Sequence, residues 1–309
     1  MPLNRGWSYR EQVGPEASGQ TVLAYLSATR LHSTEQEWTA RLDRGEVEVE
    51  GARVRRDTVL FAGQTVVWHR PPWDEPTVPT HFDVIHEDDA IVVVNKPSGL
   101  PTMPAGGFLD QTLLALVRKQ HPEASPLHRL GRCTSGLVLF ARTREAASRL
   151  ARAWREHLVK KTYRAVGLGA TRAEMFVIDV PIGSVPHPTI GTIQAACEGG
   201  KPSHSVAVVL ETRHDQTLFS VEITTGRPHQ IRIHMAYAGH PLVGDPIYEA
   251  GGGVKRHPGL PGDGGYLLHA ERLQFLHPIT GQRMSVTATP PPELQTHAEL
   301  VSAGSAMSR

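Results

Sequence analysis

The order of apolar patterns predicts an α+β protein, a small mixed module followed by a larger domain on an antiparallel-rich sheet. Three observations carry this. Several short segments alternate apolar and polar residues, as half-buried strands do. The few segments with helical spacing fall between strands rather than in one run. Residues 71–79 contain four prolines and divide the chain into two unequal parts.

Taken in order, residues 1–16 are polar and expected to be loose. Residues 17–70 form the small α/β module. Val22, Leu23 and Leu26 are spaced for one helix, with Thr21 as its cap. Ser33 with Gln36 matches a capping box for a second helix, whose buried face carries Trp38 and Leu42 and which Gly45 stops. Val47 and Val49 alternate with Glu46, Glu48 and Glu50 as in a strand, Gly51 turns the chain, and Val66 and Val67 mark a last strand. After the linker at 71–79, the large domain spans 80–292. Strands are expected at 91–94, 136–141, 163–168, 206–210 and 219–223, and helices at 112–120, 145–157 and 228–238. The second helix aligns Leu150, Trp154 and Leu158, and the third ends at Gly239. Residues 251–253 and 258–265 read as a glycine-rich surface loop, and 293–309 as a polar tail that frays.

Composition narrows the function classes. A chain of 309 residues, 39% hydrophobic, can bury a core in each of two domains. No apolar run approaches the ~20 residues that cross a bilayer, and the first ten residues lack the apolar centre of an export signal. Cys133 and Cys197 do not make a disulfide framework, which fits a reduced, cytoplasmic setting. The net charge of +1 means that any nucleic-acid surface is local, and a monomer is the default. His229, His234 and His240 lack the i, i+4 spacing of a helical zinc site, so no metal is expected.

The run His128-Arg129-Leu130-Gly131-Arg132-Cys133-Thr134-Ser135-Gly136 resembles the central signature of the RluA-type RNA pseudouridine synthases, written His-Arg-Leu-Asp-x-x-Thr-Ser-Gly. Four further segments resemble that family in the same order: 91–101 with its Asn95-Lys96-Pro97, Lys161-Thr162-Tyr163, 226–234 with Arg232, and 239–246 with Asp245. Leu268-His269-Ala270 follows. The resemblance covers roughly residues 80 to 290. The module at 17–70 is similar to the small RNA-binding module that often precedes these synthases, with Glu50 where that module usually has Asn. Arg30, Arg41, Arg44, Arg53, Arg55 and Arg56 are its candidates for phosphate contact.

The resemblance implies a pseudouridine synthase fold, an RNA substrate such as ribosomal or transfer RNA, and no cofactor. In that family an aspartate attacks or deprotonates the sugar while the uracil leaves, turns and rejoins through carbon. Gly131 occupies its position. A bare turn glycine with positive φ is the alternative account of that residue. By resemblance, Tyr163 stacks on an extruded uracil, Arg232 pairs with the family's acid, and Arg129 fills the vacated base position or holds a phosphate. Lys96, Thr134, Lys161 and His229 are further candidates for RNA contact or for holding the loop. Three accounts of Gly131 stand open: another carboxylate, Asp110, Glu156 or Asp245, substitutes; the chain binds RNA without catalysis, as an RNA chaperone or assembly factor; or it is a variant in which Asp was exchanged for Gly.

Overall fold

In the computed structural model, which describes residues 3–307, the proline-rich break falls at Pro76: one unit ends there and the second begins at Thr77. The first unit contains β1 (Trp7–Gln12), α1 (Val22–Thr29), α2 (Glu35–Asp43), β2 (Val47–Val49), β3 (Ala52–Arg53) and β4 (Thr65–Arg70). Its sheet runs β1-β4-β2-β3, antiparallel throughout. The segment expected to be loose is therefore a strand. Tyr9 on β1 stacks on Trp68 at 5.2 Å between centroids, and Val13 and Ala17 behind it are buried. Aromatic contact, invisible to an apolar count of 1–16, overrides the polar composition.

Thr21 caps α1 as expected. The capping box of α2 is Thr34 with Glu37 rather than Ser33 with Gln36: Thr34 Oγ1 accepts from the Glu37 amide at 3.3 Å, and Glu37 Oε2 accepts from the Thr34 amide at 2.7 Å. Glu50 and Gly51, both at positive φ, make the β2–β3 turn, and the Glu50 carboxylate offsets the strain by accepting from the Thr65 amide. Trp38 is fully buried, edge-on to Trp68 at 5.0 Å, with the Arg41 guanidinium 4.5 Å and 4.6 Å from the two rings.

The second unit contains β5 (Asp83–Glu87), β6 (Ile91–Lys96), α3 (Leu113–Arg118), β7 (Ser125–Pro126), β8 (Ser135–Ala141), α4 (Arg144–Arg155), β9 (Lys160–Leu168) and β10 (Met175–Ile178). It continues with β11 (Ile182–His187), β12 (Gly191–Ala196), β13 (Ser205–Thr212), β14 (Gln216–Ile223), α5 (Gln230–Tyr237), β15 (Leu268–Leu276), β16 (Arg283–Thr287) and α6 (His297–Met307). The large sheet runs β10-β13-β14-β9-β15-β8-β6-β5, with β16 on β15 and β7 on β8. Among the described residues only β8 with β15 is parallel. The hairpin β11–β12 stands apart from it.

The central strands are buried on both faces, which explains why β6 and β8 read as apolar runs rather than alternations. Ile91, Val93, Leu137 and Leu139 face one core with Leu150 of α4, while Val92, Val94, Val138 and Phe140 face the other with Tyr163, Ile231 and Tyr266. The Gly136 in Thr-Ser-Gly stands where β8 meets β15: a Cβ there would strike the Ala270 backbone. Helix α4 ends at Arg155, and His157 turns the chain at φ 56, so Leu158 lies exposed outside the expected stripe. The first part of the tail expected to fray instead packs. Leu294 is buried, and Glu299 both caps α6 through Thr296 and joins Arg164 with Glu271 in an ion-pair cluster. Among the described residues no helix is long and apolar enough to cross a membrane.

Phe140, near the end of β8, is fully buried. Phe140→Ala is expected to lower the unfolding free energy by about 3–5 kcal/mol in urea titrations. A loss below about 1 kcal/mol would mean that this strand is not central to the core.

Candidate active site

The loop from Leu130 to Thr134 enters β8, and its backbone is held from one side. The three protons of the Lys96 ammonium go to the carbonyls of Pro97 at 2.9 Å, Leu100 at 2.7 Å and Arg132 at 3.0 Å. The Gly99 amide donates to the Arg132 carbonyl at 2.9 Å, Ser98 Oγ to that of Cys133 at 2.8 Å, and Thr102 Oγ1 to that of Leu130 at 2.9 Å. Lys96 is fully buried, and burial pushes its ammonium down to about 7. The expectation that Lys96 meets RNA is therefore corrected: its donors are all committed to the loop. Burying an ammonium is tolerated only because three carbonyls replace its water.

Within this loop Gly131 is exposed and has φ outside the left-handed region. The turn reading, which needed positive φ, does not hold, because the backbone there accepts any residue. A Cβ on Gly131 would meet Tyr266 Oη at 2.8 Å and Thr134 Oγ1 at 3.5 Å. Those two oxygens lie 3.3 Å apart, and the Thr134 amide donates to the Gly131 carbonyl at 3.1 Å. Thr134 is thus a loop-holding residue.

Arg232 lies on α5, which is buried from Gln230 to Ala236 and exposes only Tyr237 at its end. Its Nε donates to Asp245 Oδ2 at 2.6 Å and its Nη2 to Oδ1 at 2.7 Å. Its guanidinium sits 4.2 Å from the Tyr266 ring centroid and 5.1 Å from that of Tyr248. Arg232 is 2% exposed, and Nη1 is buried without a hydrogen-bond partner among the described residues. Such an orphan is rare in a folded protein and costs free energy. Burial alone would lower the Arg232 pKa; the bonds to Asp245 and its charge outweigh burial and raise it. Burial would likewise raise Asp245, but bonds and charge from Arg232 hold its carboxyl below the usual range.

Two of the three candidate substitute acids, Asp245 and Glu156, are engaged by other residues. Asp245 is saturated: beyond Arg232, its Oδ1 accepts from the amides of Ile247 at 2.8 Å and Tyr248 at 3.1 Å. It neutralises the arginine, and both of its oxygens are committed. Glu156 caps the exposed end of α4 and accepts from Arg152 Nε at 2.7 Å, with no bond to Arg232. Asp110 is half-buried on the loop ahead of α3.

Tyr163 on β9 is 7% exposed and shares one apolar cluster with Leu130, Ile231 and Tyr266. Burial pushes its phenol up to about 12. Lys161, two residues before it, is also buried, with Nζ 3.4 Å from the carbonyls of Thr224 and Thr225, and burial lowers its pKa. Arg129 is exposed. His229 precedes α5 in the left-handed region, at φ 59. Tyr248 donates its hydroxyl proton to the Gln194 carbonyl at 2.7 Å, so His229 Nδ1, 2.7 Å from Tyr248 Oη, is the donor of that pair. Nε2 keeps its lone pair. Burial, then the charge of Arg232, pushes His229 down to about 4. Tyr266 and Tyr248 were not singled out in the sequence. For Tyr266 the signal existed, since 266, 268 and 270 alternate onto the Tyr163 face.

Among the described residues no cluster of three or more metal-ligating side chains forms. A separate cavity of about 480 Å³ is lined by Glu271, Glu299, Thr287, Gln295 and Ser302 and, among the described residues, by no arginine or lysine, which does not suit a phosphate backbone.

A family model described as RNA pseudouridylate synthase matches residues 90–237. An uncharacterised RNA pseudouridine synthase from Synechocystis is 44% identical over 278 residues, covering 89% of this chain and 96% of the relative. Ribosomal large subunit pseudouridine synthase D of Vibrio parahaemolyticus is 33% identical over 90% of this chain and 89% of its own length. The solved human RNA pseudouridylate synthase domain containing 1 covers 74% of this chain and 97% of itself, with TM-score 0.56 and 26% identity.

Two measurements check this geometry. Lys96→Met takes a donor from three carbonyls and leaves that of Arg132 with the Gly99 amide as its remaining partner among these bonds, so the Gly99 amide should exchange with solvent about tenfold faster or more; unchanged protection contradicts the pinning role. For His229, the unfolded chain takes up a proton near pH 6.5 and the folded one only near 4. Folding stability should therefore fall as pH drops from about 6.5 to about 4, and His229→Gln should flatten that slope in urea titrations. An unaltered slope means that the ring is not buried as described.

Proposed function

Because the chain belongs to the RNA pseudouridylate synthase family, we propose that it isomerises uridine to pseudouridine in a structured RNA, ribosomal or transfer, and that it works as a monomer without a cofactor. One observation supports the reading most: the unpartnered Arg232 Nη1, buried beside the loop that bears Gly131. A site that had lost all use for a reacting group would gain by filling or hydrating that donor.

In this reading a uridine leaves its stack and its base lies against Tyr163, whose π-face contributes roughly 1–3 kcal/mol. Exposed Arg129 takes the vacated position or a neighbouring phosphate. His229 Nε2, neutral at physiological pH, accepts a hydrogen bond from the RNA. Lys161 adds positive potential beneath the base. In the N-terminal unit, exposed Arg53, Arg55 and Arg56 are the phosphate-contacting candidates. Arg44 is paired with Glu46 at 2.6 Å, Arg30 with Glu11, and Arg41 lies on its two tryptophans.

The second reading, RNA binding without catalysis, is favoured by Gly131 alone. Tritium release from ribosomal and transfer RNA carrying uridine labelled at carbon 5 separates the two. Release is expected, and Tyr163→Leu should lower kcat/KM at least about 30-fold through lost stacking and misplacement of the base. Retention of RNA with no release supports the silent binder.

A further inference from the structure

We propose that Tyr266 supplies the oxygen that the missing aspartate would bring, with Oη attacking C1′ of the target uridine. The inference rests on the reading above that the chain forms pseudouridine. It draws on three observations at one spot.

The first is position. Tyr266 Oη stands 2.8 Å from where the Cβ of residue 131 would begin, nearer than any other side-chain atom outside the adjoining residues. An aspartate's carboxyl oxygens lie two bonds beyond its Cβ, so Oη stands in their range. The second is charge. The Arg232 guanidinium lies 4.2 Å from the Tyr266 ring centroid with Nη1 unpartnered, so negative charge developing on the phenol has a buried cation beside it. The third is orientation: Thr134 Oγ1, 3.3 Å from Oη, is fixed by the turn that includes Gly131. The nearest buried carboxylate, Asp245, has its oxygens committed to Arg232 and to two amides.

The groups that act on the phenol are Arg232 from α5, Asp245 from the turn after it, and Cys133 and Thr134 from the loop. Burial raises the phenol above its ordinary value, while Arg232 and the Thr134 bond pull it back. The resting group is protonated, and the phenolate forms by losing its proton to solvent hydroxide at exposed Gly131. Oη then bonds to C1′ as the C1′–N1 bond breaks, and that electron pair leaves on uracil N1. The base turns, C5 bonds to C1′, and the Oη–C1′ bond breaks with its pair returning to the phenolate. The C5 proton passes to that phenolate and restores the phenol, while the ring's electron pair returns to N1, which takes a proton from the water formed in the first step and regenerates hydroxide. Nothing is oxidised or reduced. Tyrosine is a known nucleophile at sugar carbons in some glycoside-cleaving enzymes.

This chemistry has a signature that a carboxylate lacks. A carboxylate is fully ionised above about pH 6, giving a flat profile, whereas phenolate supply rises about tenfold per pH unit. The test is tritium release from labelled ribosomal and transfer RNA transcripts between pH 6 and 9, using the full chain, Tyr266→Phe, Asp110→Asn and a chain with trifluorotyrosine at 266. The expected result is a rising profile, a loss of at least about 100-fold in kcat for Tyr266→Phe with RNA retention within about twofold, and a shift to lower pH with the more acidic fluorinated phenol. A flat profile, Tyr266→Phe within about threefold of the parent, or loss in Asp110→Asn alone would overturn the proposal. If Tyr266→Phe does not fold, the near-isosteric fluorotyrosine chain decides, and an unshifted profile counts against it. A parent protein silent on RNA defeats the functional reading and this inference together. An active parent with undiminished Tyr266→Phe defeats this inference alone.

Discussion

The buried pair of Arg232 and Asp245 is the constraint on which the site depends. Two opposite charges have left water, at a cost that their attraction repays only with good geometry and satisfied neighbours. The geometry is bidentate, and Asp245 takes two backbone amides besides. Removing either partner strands a buried charge, a change that typically costs about 3–5 kcal/mol. The pair also ties α5 to the turn at 245–248, which sets Tyr248 and Tyr266 against the guanidinium. Arg232 nevertheless remains one partner short at Nη1. The same cation therefore serves two purposes, holding the fold together through Asp245 and leaving positive charge against the Tyr266 ring.

A second buried cation prepares the loop for this charge. Lys96 spends its three donors on carbonyls around it, and Ser98, Gly99 and Thr102 add bonds to the same short stretch. A loop pinned at so many points cannot drift toward the space beside Gly131. Preorganisation of this kind matters because a displacement of about 1 Å at a reacting centre can cost about 100-fold in rate. The Lys-Pro turn, which reads in sequence as a phosphate ligand, is scaffolding.

Much of the fold was legible because its signals are local. Alternation marked β13 and β14, apolar runs marked β6 and β8, and threonine before a helix marked the start of α1. What was missed depends on distant partners. Strand β1 exists because Tyr9 meets Trp68, and α6 packs because Glu299 reaches Arg164. At the candidate site, the motifs pointed to Tyr163, Thr134 and Arg232, and the structure brings all three to Tyr266. They could not show that Lys96 points inward, that Asp245 is saturated, or that Gly131 has an undemanding φ. Each of those facts is a statement about three-dimensional neighbours rather than about residue type.

The Cβ position of residue 131 meets Tyr266 Oη, and the Tyr266 ring lies against a buried, incompletely paired guanidinium; the proposed chemistry stands on that placement. The crystal structure of the Gly131→Asp variant tests it most directly. The account predicts the introduced carboxylate within hydrogen-bond distance of Arg232 Nη1, with the Tyr266 hydroxyl displaced from its 2.8 Å approach and the Arg232–Asp245 pair intact. An introduced side chain turned into solvent, with Nη1 still unpartnered and Tyr266 unmoved, would contradict it.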